Sequence, residues 1–227
     1  MTLSEVLNDL KSRENSKSRD GMSRFGINPE KAFGISVKYL RELGKKIGKN
    51  HKLALELWET GFHEARILAT IIDEPNKASK SQFNKWINDV NSWDLCDQLC
   101  NNLLVKTVYA YDLAFEWSKS KTEFKKRAGF TLFAVIAVHW KHLEDLDFIK
   151  VFPRIIDEAT DDRNFVKKAV NWALRQIGKR NSNLNKLAVE TAEVLTSSEN
   201  KSAKWIGKDA LKELTDKNVF IRLKENG

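Results

Sequence analysis

The chain is expected to be all-α, a single domain over residues 1–227 built from stacked helical pairs. Three observations lead there. Apolar residues recur at the 3.6-residue spacing of a helix almost throughout. Glycine (10) and proline (3) are scarce, which leaves few breaks of the kind that strands and long loops need. And four segments, around residues 63–69, 125–130, 166–172 and 201–207, share a basic or polar start followed by alanine and an aromatic or aliphatic residue.

Taken in order, Leu3, Val6, Leu7 and Leu10 mark a short amphipathic helix, followed by a polar, basic stretch from Lys11 to Arg24. A Gly/Pro-marked loop follows Phe25 and ends at Ser36, which caps a helix carrying Leu40, Leu43 and Ile47 and closed by Gly48. The exposed side of that helix is basic, with Lys38, Arg41, Lys45, Lys46 and Lys49. Two helices around residues 53–59 and 64–72 are split by Gly61, and Pro75 stops the second, because a helix rarely continues into proline. A helical pair is expected over 105–117 and 122–140. Its second member is apolar nearly all round, which argues for an enclosed position. Arg127 lies near its start beside Lys125 and Lys126, where cations oppose the helix dipole; phosphate or neighbouring acids could favour them there.

Two stretches carry the candidate chemistry. In Asn91–Cys100, Ser92 is a good N-cap and Asp94 suits the positive end of the helix dipole. Leu95, Cys96, Leu99, Cys100, Leu103 and Leu104 form a core stripe, with the cysteines expected as reduced core residues of a cytoplasmic protein. Trp93 and Asp97, four apart, share a face at the rim of that stripe. A carboxylate beside an indole is suited to stabilising a cation; a packed Trp and a solvated Asp is the plainer account. In the second stretch, Phe165, Val166, Ala169, Val170, Ala173, Leu174 and Ile177 make a core stripe, while Lys168, Trp172, Arg175 and Lys179 fall on a separate one. An aromatic among cations is what a nucleic-acid surface uses, though Trp172 could equally cover a neighbouring helix.

The alanines at 128, 169 and 203 lie 41 and 34 residues apart, in the range of HEAT-type repeats, whose helix pairs bury their faces only by stacking. About six such units forming an α-α superhelix are expected, with basic residues of the second helices lining a concave face. Lys+Arg 39 against Asp+Glu 31 gives a net charge of +8, which leans toward a polyanionic partner.

These residues together resemble the DNA alkylation repair family of HEAT-like glycosylases, the AlkD type. The resemblance rests on Trp93-Asp94-x-x-Asp97, the Lys-Arg-Ala at Lys126–Ala128, and Lys168-Ala169-x-x-Trp172-x-Leu174-Arg175, and it covers about Met22 to Leu214. It implies that Trp93, Asp97 and Trp172 line a lesion site and are the catalytic set. Arg127, Lys168, Arg175, Lys179 and Phe25 would contact DNA. The implied activity is a monofunctional DNA glycosylase that releases cationic N3- or N7-alkylated purines from duplex DNA, without flipping the base into a closed pocket. Two positions depart from the family: Ser92 stands where the best-known members have a second tryptophan, and Phe25 where they have a tyrosine.

The rival classes are a non-catalytic HEAT-repeat protein that binds DNA or senses damage, and a protein-interaction solenoid with Trp172 as a hot spot. No cofactor and no metal are expected: the histidines 51, 63, 139 and 142 form no HExxH motif, and there is no Gly-rich phosphate loop. No apolar run suggests a signal peptide or membrane span. A monomer acting on duplex DNA in the cytoplasm, associated with the nucleoid, is the expectation.

Overall fold

A computed structural model describes residues 1–225. Among the described residues there are helices and turns and no strand. The chain forms two compact units, Met1–Tyr109 and Ala110–Gly227.

The first unit contains α1 (Leu3–Ser12), α2 (Ser16–Gly21), a 3-10 turn (Met22–Phe25), α3 (Val37–Ile47), α4 (His51–Glu59), α5 (His63–Ile72), α6 (Lys80–Asp89), α7 (Trp93–Asn102) and a second 3-10 turn (Leu104–Lys106). α1 starts on a capping box, in which the Thr2 hydroxyl accepts from Glu5 N and the Glu5 carboxylate from Thr2 N. Ser36, Asn50 and Ser79 cap α3, α4 and α6 through their side-chain oxygens. α5 packs against α3, α4 and α7. The indoles of Trp58 and Trp86 stack at 4.0 Å in the core, and Trp58 Nε1 donates to Asp89 Oδ2 (2.8 Å).

The second unit contains α8 (Ala110–Ser118), α9 (Glu123–His139), α10 (Asp145–Ile149), α11 (Val151–Glu158), α12 (Asn164–Gly178), α13 (Ser182–Thr196), α14 (Lys201–Leu214) and α15 (Lys217–Glu225). The repeat logic is plain here. α8 packs on α9 and α13 on α14, and the second helices pack on one another, α9 on α12 and α12 on α14. Glycine permits the closest approaches. A Cβ on Gly129 of α9 would lie 2.3 Å from Ser118 N at the end of α8, and one on Gly207 of α14 would lie 2.5 Å from Ala192 O in α13. α9 is buried continuously from Arg127 to Ala137, as its nearly all-round apolar sequence implies.

The helix expected to begin at Val105 begins at Ala110 instead. Leu104–Lys106 tightens into a 3-10 turn, and Thr107 is extended (φ −113°, ψ 156°), its hydroxyl donating to Leu104 O. Such local competition between a threonine side chain and the helix ladder is invisible to periodicity.

Candidate functional site

The first unit presents the edge of α7. Leu95, Cys96, Leu99 and Cys100 are all fully buried, while Trp93 and Asp97 sit half-buried one turn apart at the rim of that stripe. The indole is held from outside its own helix: Trp93 Nε1 donates to Phe25 O at 2.8 Å, across 68 residues of sequence. Gly26, at φ 72°, turns the chain immediately afterwards, a left-handed conformation that favours glycine. Phe25 therefore contributes its carbonyl to the indole, and its ring remains 68% exposed beside the site. At Asp97 the backbone carbonyl accepts from Asn101 Nδ2 (2.9 Å).

The start of α7 differs from its expected form. Ser92 occupies the N-cap position with extended backbone, yet its hydroxyl makes no capping bond and is fully buried. Asp94 sits in the first turn, as expected, and has a partner there as well. Its Oδ2 lies 2.9 Å from His63 Nε2, with side-chain exposures of only 16% and 7%, so the pair ties α7 to α5. Burial pushes the Asp94 carboxyl up, but the hydrogen bond and charge of His63 outweigh it and hold the pKa below its ordinary value. Next to His63, the buried Glu64 carboxylate accepts three backbone amides, from Phe33 (2.8 Å), Gly34 (2.7 Å) and Ile35 (3.1 Å). That clamp fixes the loop between the Phe25 turn and α3.

In the second unit the basic start of α9 is turned inward. Lys126 pairs with Glu158 (2.5 Å) and Asp161 (3.0 Å), so neighbouring acids account for that cation. Arg127 is 5% exposed and its guanidinium donates to Phe165 O at 2.7 Å, joining α9 to α12. An arginine so placed is a strut between helices, a role the sequence did not indicate.

The α12 stripe stands off the core as its spacing implies: Lys168 is exposed and Trp172, Arg175 and Lys179 are half-buried, while Val166, Ala169, Val170, Ala173, Leu174 and Ile177 are fully buried. With its amide turned so that Oε1 faces the ring, Gln176 accepts from Trp172 Nε1 (3.1 Å) and Lys179 Nζ (3.2 Å). Arg175 and Lys179 both pair with Glu213 of α14, and Arg175 Nε also lies 3.9 Å from Asp209. Burial raises the Glu213 carboxyl, but the two cations more than offset that and keep it ionised below its usual range. Two of the four stripe residues thus share one carboxylate, which neutralises them in part. Their partner lies 34 and 38 residues away, beyond any local sequence signal.

The DNA alkylation repair enzyme family matches residues 6–214. The chain belongs to that family. Its match to a solved structure, described as "a new family of proteins related to the HEAT-like repeat DNA glycosylases with affinity for branched DNA structures", has a TM-score of 0.79 at 24% identity and covers 98% of this chain and 100% of the other. The fold is therefore the HEAT-like repeat fold of the DNA alkylation repair enzymes and their kin. A curated relative, the uncharacterized protein Lin0241 of Listeria innocua serovar 6a, is 22% identical over 165 residues, 71% of each chain. Of the residues expected from sequence, Phe25, Trp93 and Asp97 fall in the first unit of this family member, Trp93 and Phe25 in direct contact. Arg127, Lys168, Trp172, Arg175 and Lys179 fall in the second, all but Arg127 on one edge of α12. Among the described residues no three His, Cys, Asp or Glu side chains gather as a metal site would need, and no helix is long and apolar enough to cross a membrane.

Proposed function

We propose that this protein is a DNA glycosylase that hydrolyses the N-glycosidic bond of cationic N3- or N7-alkylated purines in duplex DNA. The observation that carries the reading is the rim of α7, where the Asp97 carboxylate stands one turn from a half-buried indole that is itself pinned by Phe25 O. An alkylated purine is already cationic, so its departure needs no protonation by the protein. The C1′–N bond breaks with its electron pair passing to the base, which leaves neutral, and positive charge develops on the sugar. The Asp97 carboxylate stabilises that charge and orients a water whose oxygen bonds to C1′; the water proton passes to the carboxylate and then to solvent. Trp93 offers an electron-rich face to the cationic nucleotide, contributing roughly 0.5–2 kcal/mol, and in the second unit Trp172 offers a ring of the same kind within the basic edge of α12. Phe25 adds an exposed ring, and the basic edge of α12 meets the phosphates.

The test is release of free base from duplex DNA carrying one N7-methylguanine under single-turnover conditions. Asp97→Asn should slow release by about 10²–10³, the scale of losing one preorganised electrostatic partner, with DNA affinity intact. Release as fast as the parent's would remove Asp97 from the chemistry. A second reading, a non-catalytic binder, draws on the structural relative described by its affinity for branched DNA and on the Ser92 and Phe25 departures. On that reading the parent releases no base and retains a four-way junction more tightly than linear duplex.

A further inference from the structure

The basic edge of α12 has a counterpart that is not neutralised. Lys168, Trp172, Arg175 and Lys179 follow the pattern Lys-x3-Trp-x2-Arg-x3-Lys. Thirty-three residues later, α14 carries Lys201, Trp205, Lys208 and Lys212, the same pattern with lysine in place of arginine. The offsets of 4, 7 and 11 place each set along one helix face, over about 17 Å at 1.5 Å per residue. All four α14 residues are exposed, Trp205 at 38%, whereas Ala203, Ile206, Gly207, Ala210 and Leu214 face the core. Lys167 of α12 extends the stripe sideways, its Nζ 5.0 Å from the Trp205 ring centroid.

The electrostatics of the two stripes differ. On α12, Arg175 and Lys179 are held by Glu213, a residue of α14 itself. On α14, Lys201, Lys208 and Lys212 have no ion-pair or hydrogen-bond partner among the described residues. Three unpaired ammonium groups spread over about 17 Å match a polyanion with one charge per roughly 3.4 Å of strand. An exposed indole between them can pack on sugar in a salt-independent contact.

We propose that the Lys201–Trp205–Lys208–Lys212 face of α14 is a DNA backbone-binding surface, and that it supplies more of the salt-sensitive affinity than the partly neutralised edge of α12. The proposal rests on the reading of the protein as a DNA-binding enzyme and assigns that reading its main phosphate contact.

The experiment uses the full chain and an undamaged linear duplex, with affinity measured across a series of salt concentrations. Loss of three phosphate contacts should lower the slope of log K against log salt by about 2.7, at about 0.9 per contact. The triple variant Lys201→Gln, Lys208→Gln, Lys212→Gln should show that fall, while Arg175→Gln, Lys179→Gln changes the slope by less than about 1. Trp205→Ala should weaken binding several-fold with the slope unchanged. A melting curve matching the parent's shows that the exposed substitutions leave the fold intact. If the parent binds duplex and the triple variant keeps the parental slope, the α14 face is only a solvated surface and this proposal fails. If the parent itself shows no salt-dependent binding to DNA, the DNA-directed reading fails first, and the proposal with it.

Discussion

Replacing Asp94 with asparagine keeps the side-chain size and removes one charge from the base of α7. Were Asp94 only a first-turn partner of the helix dipole, the change would cost about 0.3–1 kcal/mol. The structure assigns it more. The carboxylate and His63 are both largely shielded from water and meet at 2.9 Å, and hydrogen bonds involving a charged group contribute about 1.5–3 kcal/mol. A destabilisation of about 2 kcal/mol at pH 7 is expected, read as a fall in the urea midpoint at unchanged slope. The pH dependence supplies the sharper readout. The folded-state pKa of Asp94 is depressed, so its contribution is fully present above the ordinary value of 3.8 and is lost as pH falls through the lower folded value. The gap between parent and Asp94→Asn should therefore close as pH falls below the ordinary carboxylate range. A double-mutant cycle with His63→Gln should return a coupling of at least about 1 kcal/mol at pH 7. A loss under 1 kcal/mol that ignores pH, or a coupling near zero, would refute the reasoning.

Other outcomes follow from the same geometry. Glu64→Gln sets an amide N–H₂ against at least one of three converging backbone donors and should cost about 3 kcal/mol or more, with amide exchange accelerated at Phe33, Gly34 and Ile35. Trp93→Phe keeps a ring but drops the bond to Phe25 O; faster amide exchange through Met22–Gly26, with a stability loss of about 1 kcal/mol, is the expected result. Arg127→Met should lower the melting temperature of the free protein, because it removes the donor to Phe165 O; a variant that melts like the parent and only loses DNA affinity would assign Arg127 to DNA contact instead. Asp161 is held at about 2: burial raises it, but hydrogen bonds and charge from Arg163 and Lys126 prevail. Its stabilisation, about 1–2 kcal/mol after allowance for solvent screening, is present above pH 4 and lost toward pH 2, and Asp161→Asn should flatten that limb of the acid unfolding curve.

Helix positions were legible because an apolar stripe at 3.6 spacing has one physical solution in a chain this poor in glycine and proline. The rim placement of Trp93 and Asp97 and the off-core stripe of α12 follow from angle alone, given a helix. What escaped the sequence is contact between elements. The three cations at the start of α9 look alike in order, yet Lys126 meets Glu158 and Asp161 while Arg127 turns toward Phe165 O, and only the packing of α9 on α12 decides between them. Ser92 has the right residue type for a cap and the right backbone, but its buried hydroxyl makes no capping bond. Asp94 reads as a dipole partner until His63, 31 residues earlier, is brought beside it. Aligning the later repeats on alanines 169 and 203 gives an offset of 34, which puts Trp172 opposite Ile206; the exposed faces agree at 33, where the two tryptophans coincide.

The Glu64 clamp has a consequence for where an anion can land. Three consecutive amides at Phe33, Gly34 and Ile35, with Gly34 at φ 76°, form the kind of backbone hollow that elsewhere cradles phosphate. Here the hollow is occupied by a carboxylate from the chain itself. An anion arriving at that loop meets a hollow already filled by a like charge, so the three amides are closed to it. Glu64→Ala would vacate the hollow and convert a structural anchor into an open anion site, one that formate or acetate in the buffer could refill, restoring part of the lost stability.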